Sequence, residues 1–245
     1  AHRALDRLWR GWGSRTKLAG DKDPARKTEQ AVRSAMRHIR VGQRTGRESM
    51  LEIECQRLVA LIGQLLNIEL QREDFALLES EHGDDINLAG LRLTTRPDRV
   101  DRLGSGAGMI IDYKTGAANA RDWLHMRPVE PQLPIYLTAA RHQVDCLAFA
   151  SLKAGQVGYT GIAADEVGIP GVKAFDTVRD LPEGVDSWEA LLAWWRARLE
   201  ALARDFVAGL AAVDPRDSQA CRYCELTAFC RRHDPVGQTG ELADV

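Results

Sequence analysis

The chain has 245 residues, 44% of them hydrophobic and 28% charged, with a formal net charge of −2. That is enough for one large domain, or a domain with appendages, around a real core. No apolar run approaches the roughly 18 residues needed to cross a bilayer and no charged-apolar-small leader opens the chain, so a membrane span is excluded and a soluble, cytoplasmic protein is expected. Because Ala1-His2-Arg3 enters a helical pattern at once, without an initiator Met or a cap, the chain is expected to be a fragment of a longer polypeptide.

Leu5, Leu8, Trp9 and Trp12 recur at helical spacing and predict a first helix ending near Gly13. A loop from Ser14 to Pro24 then leads to a second, basic helix over about Ala25 to Arg40. Residues 1–47 hold Arg3, Arg7, Arg10, Arg15, Lys17, Lys22, Arg26, Lys27, Arg33, Arg37, Arg40, Arg44 and Arg47 against only Asp6, Asp21, Asp23 and Glu29. Taken singly these are solvated helix faces; their asymmetry against the acidic stretch that follows favours a surface for a phosphate backbone. From Glu48 to Leu70 an apolar face built on Leu51, Leu58, Ile62 and Leu65 predicts a long amphipathic helix. Phe75 to Glu81 reads as an edge strand, Leu91 to Leu103 as one strand of a hairpin, Gly104 to Gly108 as its turn, and Met109 to Lys114 as the second strand.

Further along, Gln132 to His142 is a helix with Pro131 and Pro134 at its start, and Val144 to Leu152 and Gly155 to Ile162 are strands. An irregular excursion fills Ala164 to Pro182. Ser187 then caps a strong helix to Leu210, striped by Leu191, Leu192, Trp195, Leu199, Leu202 and Phe206. Trp194 and Trp195 could stack on bases, but tryptophans on such a stripe favour a core role. The fold class is α/β, a mixed sheet flanked by helices. Its domain organisation reads as a body over 1–213, a cysteine-rich segment over 214–234 and a loose tail over 235–245.

The chemistry gathers at Met109-Ile110-Ile111-Asp112-Tyr113-Lys114-Thr115-Gly116. Residues two apart on a strand leave the same face, so Asp112 and Lys114 point into one place, and the hairpin brings a second carboxylate beside the first. Two acidic groups beside a lysine suit a hard cation such as Mg²⁺, or Mn²⁺, and with it phosphodiester cleavage. Asp98 and Asp101 compete for the second position, and both cannot face it without a bulge.

The order of Asp, hairpin, Asp-Tyr-Lys-Thr-Gly and then Gln132-Leu133-Pro134-Ile135-Tyr136 resembles the RecB-like branch of the PD-(D/E)xK nucleases, and the resemblance runs from His2 to Cys230. It implies a restriction-endonuclease-like core in which Asp98 and Asp112 bind the metal and Lys114 assists the attacking water. Gln132 and Tyr136, one helical turn apart, would line the site, Gln132 positioning Lys114 or the water and Tyr136 a phosphate; a plain core role for Tyr136 stands beside this. His2-Arg3-Ala4-Leu5-Asp6 resembles the tail of the family's His-bearing helix, truncated here, and so implies His2 as a further metal ligand, against a histidine that merely frays at the chain start. Asp98 rather than Asp101 fits the family's ligand position, leaving Asp101 a structural partner of arginine.

Cys221-Arg222-Tyr223-Cys224-Glu225-Leu226-Thr227-Ala228-Phe229-Cys230 is a C-x2-C-x5-C run, which in a cytoplasmic chain argues for metal over disulfides. Its spacing resembles the end of AddB-type and Cas4-type nucleases, which implies a [4Fe-4S] cluster held by Cys221, Cys224 and Cys230, with a fourth cysteine lying before Ala1. A Cys3His zinc site completed by His233 is the rival. Cys55 and Cys146 read as buried, inert thiols. The function expected is a Mg²⁺-dependent DNA exonuclease of a recombination-repair protein working with a helicase or nuclease partner subunit. The alternative is a module that grips DNA ends without cutting.

Overall fold

The computed structural model describes residues 1–37 and 47–230. Four helices come first: α1 (His2–Trp12), α2 (Arg15–Ala19), α3 (Pro24–Met36) and α4 (Arg47–Gln71). Five strands follow, β1 (Phe75–Glu79), β2 (Asp84–Leu88), β3 (Leu91–Thr95), β4 (Arg99–Leu103) and β5 (Gly108–Lys114). The rest of the chain adds α5 (Gln132–Ala139), β6 (Val144–Lys153), β7 (Gln156–Ala163), β8 (Val172–Ala174), α6 (Trp188–Val207) and a last short helix α7 (Thr227–Cys230).

Six strands form one mixed sheet in the order β1-β4-β5-β6-β7-β8, and β2 and β3 pair apart as a hairpin of their own. The β4–β5 pair is antiparallel and β5–β6 parallel, so β5 lies in the interior of the sheet, covered on both faces. This is why Gly108 to Tyr113 are buried without interruption: a strand sheltered on both sides has no solvent face to make polar. At Gly108 a side chain would run into the Gln143 carbonyl, so only glycine lets β5 start this close to the chain entering β6.

Alternation along β5 feeds two cores. Met109, Ile111 and Tyr113 pack with α1, α3 and α4 through Leu5, Trp9, Val32, Ile62 and Leu65. Ile110 turns the other way, with Leu147 and Phe149 of β6, onto Trp123, Leu133, Leu191 and Trp195. Asp112 shares the parity of Ile110, so the site opens on the α5 side of the sheet.

The first core contains ions as well as hydrocarbon. Arg99 donates to Asp101 from Nε at 2.7 Å and to Glu69 of α4 from Nη1 at 2.8 Å, while Arg72 Nη1 donates to Glu69 at 2.7 Å and to Tyr159 at 3.2 Å. Tyr159 in turn donates to Glu69. All four charged side chains are at most 3% exposed, and the Arg99 guanidinium lies 3.7 Å from the centre of the Trp9 ring. Two arginines against two carboxylates leave no net buried charge, the condition under which such a cluster can be tolerated. Asp101 is thus paired with arginine, the structural role that the family resemblance left to it.

The long strand expected over Leu91 to Leu103 is two strands. Arg96-Pro97-Asp98 breaks it, since Pro97 has no N–H for a ladder and constrains the residue before it. Three short elements were hidden from the sequence pattern: α2 inside the expected loop, capped by Ser14 accepting from the Lys17 N–H; β2, where only a connection was expected; and β8 inside the excursion over 164–182. The basic helix is observed as Pro24–Met36, and its expected end at Arg40 lies outside the described residues. Ser187 caps α6 by accepting from the Ala190 N–H. Along α6, Leu191, Trp195 and Leu199 are buried as expected, Trp194 is half-buried, and Phe206 faces outward. Cys55 and Cys146 are buried. Among the described residues no helix is long and apolar enough to cross a membrane.

Candidate active site

Asp98 stands directly before β4, and its Oδ2 accepts the backbone N–H of Tyr113 at 2.8 Å, which pins the carboxylate against β5. One residue back on β5, Asp112 carries the second carboxylate, and one residue on, Lys114 carries the ammonium. Lys114 Nζ lies 3.1 Å from Asp112 Oδ2, so the two side chains do converge. The contact is an ion pair without hydrogen-bond geometry, and Asp112 Oδ2 remains buried with no hydrogen-bond donor. Beneath the ammonium is the Phe149 ring, 5.2 Å away.

From the far side, Lys114 donates to Gln132 Oε1 at 2.8 Å and pairs with Glu130 Oε2 at 2.6 Å. Gln132 therefore touches the lysine, as the motif led one to expect. Tyr136, half-buried a turn later, packs on the second core together with Leu133 and Phe149. Burial pushes its hydroxyl up to about 12, and the Asp112 and Asp98 charges add to that. The packing of this residue is that of a core side chain.

His2, at the first turn of α1, brings Nε2 within 2.8 Å of the Tyr113 carbonyl and 3.4 Å of Asp98 Oδ2. A nitrogen facing a carbonyl oxygen carries the proton, so in this arrangement Nε2 is a donor. His2 and Tyr113 also meet edge to face, with ring centroids 6.1 Å apart.

Burial disfavours the charge on both carboxyls. Burial raises Asp98 to about 6, against the opposing pull of the Tyr113 N–H and of His2. Asp112 is raised by burial too, which outweighs the Lys114 ammonium. Burial would lower Lys114, but Glu130 and Asp112 more than offset it, and its pKa is raised. Two desolvated carboxylates and the adjacent Tyr113 carbonyl are hard oxygen donors, with the Lys114 ammonium and His2 beside them. The donor set fits a divalent cation such as Mg²⁺.

The basic amino-terminal region forms packed helices rather than a free arm. Arg10 pairs with Asp6, Arg15 with Asp74, Arg26 with Asp23, Lys27 with Asp21, and Arg33 with Glu29 and Glu52. Arg40 and Arg44 lie outside the described residues. Next to the site is a groove lined by His2, Arg3, Met36, Arg57 with its partner Glu54, and Thr115.

Of the cysteine run, Cys221 and Cys230 are half-buried and Cys224 is exposed. Among the described residues no three His, Cys, Asp or Glu side chains are closed into a ligand set, and three thiols do not by themselves complete a four-thiolate cluster. His233 and the tail over 235–245 lie outside the described residues.

A family model described as the PD-(D/E)XK nuclease superfamily matches residues 1–231. The chain belongs to that superfamily. Its members are typically metal-dependent nucleases, which makes phosphodiester hydrolysis the reaction class, a divalent metal such as Mg²⁺ the cofactor and DNA the implied substrate of this PD-(D/E)XK domain. No curated protein matches the chain. A solved structure described as "Crystal structure of SSO0001" is similar to it at 16% identity with a TM-score of 0.36, covering 76% of this chain and 71% of its own.

Sequence reasoning missed Glu130 and the buried Glu69–Arg72–Arg99–Asp101 cluster. The rule that pairs Asp112 with Lys114 also puts Arg99 on the face of Asp101, so part of the cluster had a signal. Glu130 sits in an irregular stretch where spacing says nothing about direction.

Proposed function

We propose that this chain is a Mg²⁺-dependent DNA exonuclease domain of the RecB-like branch, AddB-type or Cas4-type, serving recombination repair beside a helicase or nuclease partner subunit. The observation that carries the reading is the convergence of the buried carboxylates Asp98 and Asp112 with Lys114 at one end of β5. Asp98 and Asp112 would hold the cation, with the Tyr113 carbonyl as a third oxygen. His2 would join them only by giving up its bond to that carbonyl. When bound, the cation supplies Lewis acidity at the scissile phosphate and lowers the pKa of a nearby water.

The remaining work falls to side chains. Lys114, charged and directed by Gln132, orients the attacking water and offsets charge that builds on the phosphorus oxygens in the transition state. Tyr136 meets a phosphate at the α5 edge, and the groove beside His2, Arg3 and Thr115 takes the strand leading away. The resemblance of the C-x2-C-x5-C spacing supports an iron-sulfur role for Cys221, Cys224 and Cys230, with a fourth ligand from elsewhere.

The deciding experiment is cleavage of end-labelled single- and double-stranded DNA with Mg²⁺, Mn²⁺ or chelator. Progressive loss of mononucleotides from an end, abolished by chelator, is expected. Internal cuts without end dependence would overturn the exonuclease assignment. DNA-end binding without any cleavage would replace the enzyme by a gripping module.

A further inference from the structure

We propose that Glu130 is the residue that positions Lys114 for the reaction, an assignment that rests on the nuclease reading above. Of the three oxygens around the Lys114 ammonium, Glu130 Oε2 is the closest at 2.6 Å, with Gln132 Oε1 at 2.8 Å and Asp112 Oδ2 at 3.1 Å. Glu130 and Gln132 come from one short stretch leading into α5, so together they fix the end of a flexible four-carbon side chain from outside the sheet.

The need for such a residue follows from the metal. In the metal-free site Asp112 shares the work of holding the ammonium. A divalent cation on Asp112 would claim that carboxylate's charge and repel Lys114 in addition. A carboxylate that reaches Lys114 from the opposite element keeps the ammonium in place when Asp112 no longer can. The backbone at Glu130 is of a kind few side chains adopt. Glu130 adopts φ 54°, in the left-handed region, where glycine would sit without strain and a long side chain is uncommon. Pro131 follows and restricts it further. The chain holds a strained glutamate where glycine would be easier.

The test separates anchoring Lys114 from supporting the fold. Glu130→Gly, Glu130→Gln and Glu130→Asp would be compared with wild type and with Lys114→Ala. If Glu130 positions Lys114, Glu130→Gly keeps or raises Tm because the backbone strain is relieved, yet lowers kcat on DNA about ten- to a hundredfold with KM nearly unchanged. Glu130→Asp regains part of that loss. In the Lys114→Ala background the glycine substitution adds no further loss, because the residue it acts through is gone.

A second readout does not need catalysis. Acylation of lysine amines, followed by mass spectrometry in metal-free protein with Lys17, Lys22, Lys27, Lys153 and Lys173 as internal references, should modify Lys114 several-fold faster once Glu130 is removed. Unchanged Lys114 reactivity in Glu130→Gly, a fall in Tm that accounts for the lost activity, or losses that add in the double variant would each overturn the assignment. A wild-type domain that cuts no DNA would sink the nuclease reading alone, and Lys114 labelling would still decide whether Glu130 holds it.

Discussion

Asp98 and Tyr113 are joined by a 2.8 Å hydrogen bond from the Tyr113 N–H to Asp98 Oδ2, and this bond sets the site. It ties a carboxylate that precedes one strand to the backbone between Asp112 and Lys114 of the next. The spacing of Asp98, Asp112 and Lys114 is thereby fixed by main chain, which keeps it rigid enough for a metal-assisted reaction.

Asp112→Asn should abolish Mg²⁺-dependent cleavage, and Lys114→Ala should lower turnover roughly a hundredfold, the scale of one lost electrostatic or acid-base group. Both should fold, since neither side chain is a large part of a core. Initial rates against Mg²⁺ concentration check the division of labour: a Lys114→Ala defect that vanishes at high Mg²⁺ would make the lysine a helper in metal binding instead.

A carboxyl whose folded pKa is raised binds more protons folded than unfolded, so its contribution to stability is present below its ordinary value near 3.8 and is lost as pH rises through about 6. In chelator, Asp98→Asn should therefore raise Tm at pH 7.5, by the equivalent of about 3 kcal/mol, and the gain should fade as pH falls towards 4. Added Mg²⁺ should stabilise wild type at pH 7.5 and not the variant, because only the wild type binds it. Thermal unfolding across pH, with and without Mg²⁺, measures both; a variant with lower Tm in chelator at pH 7.5 would refute the reading.

Arg99→Met should be the most damaging substitution outside the site. It leaves Asp101 and Glu69 buried with only Arg72 between them and removes the cation from the face of Trp9, at a cost of roughly 3–5 kcal/mol. Urea unfolding monitored by tryptophan fluorescence would show it. Arg33→Met, which breaks pairs that lie in solvent, should leave the midpoint where it was.

For the cysteines, anaerobic reconstitution with iron and sulfide should give a visible chromophore that is weak or lost in air, and that Cys221→Ser, Cys224→Ser or Cys230→Ser removes. One zinc per chain, no iron, and loss of the metal in His233→Ala would instead establish the Cys3His site.

The site was legible in the sequence where its geometry is local. Period two along β5 places Asp112 and Lys114 together, and one turn of α5 separates Gln132 from Tyr136, so short-range rules sufficed. The core of β5 and β6 was legible for the same reason, since runs such as Met109-Ile110-Ile111 have few other homes. The split at Pro97 had its signal in Pro97 itself, yet the apolar and β-branched residues on either side read as one strand. Glu130, the union of Glu69 with Arg99 and the bond between His2 and Tyr113 depend on segments far apart in sequence. No pattern in either partner announces the other.

Trp123 has a consequence for how this site could be re-engineered. It lies halfway between Lys114 and Glu130, fully buried, with its ring against Phe149 and Trp195, and its carbonyl accepts the Trp195 indole N–H at 2.9 Å. The stretch linking the lysine to its glutamate is therefore two short spans meeting at a nailed midpoint. Extra residues inserted among Thr115 to Ala118 would lengthen one span without moving the other, so a graft there could add DNA contacts at little cost to the Lys114–Glu130 pair. The same graft made across Trp123 would cut both spans loose at once.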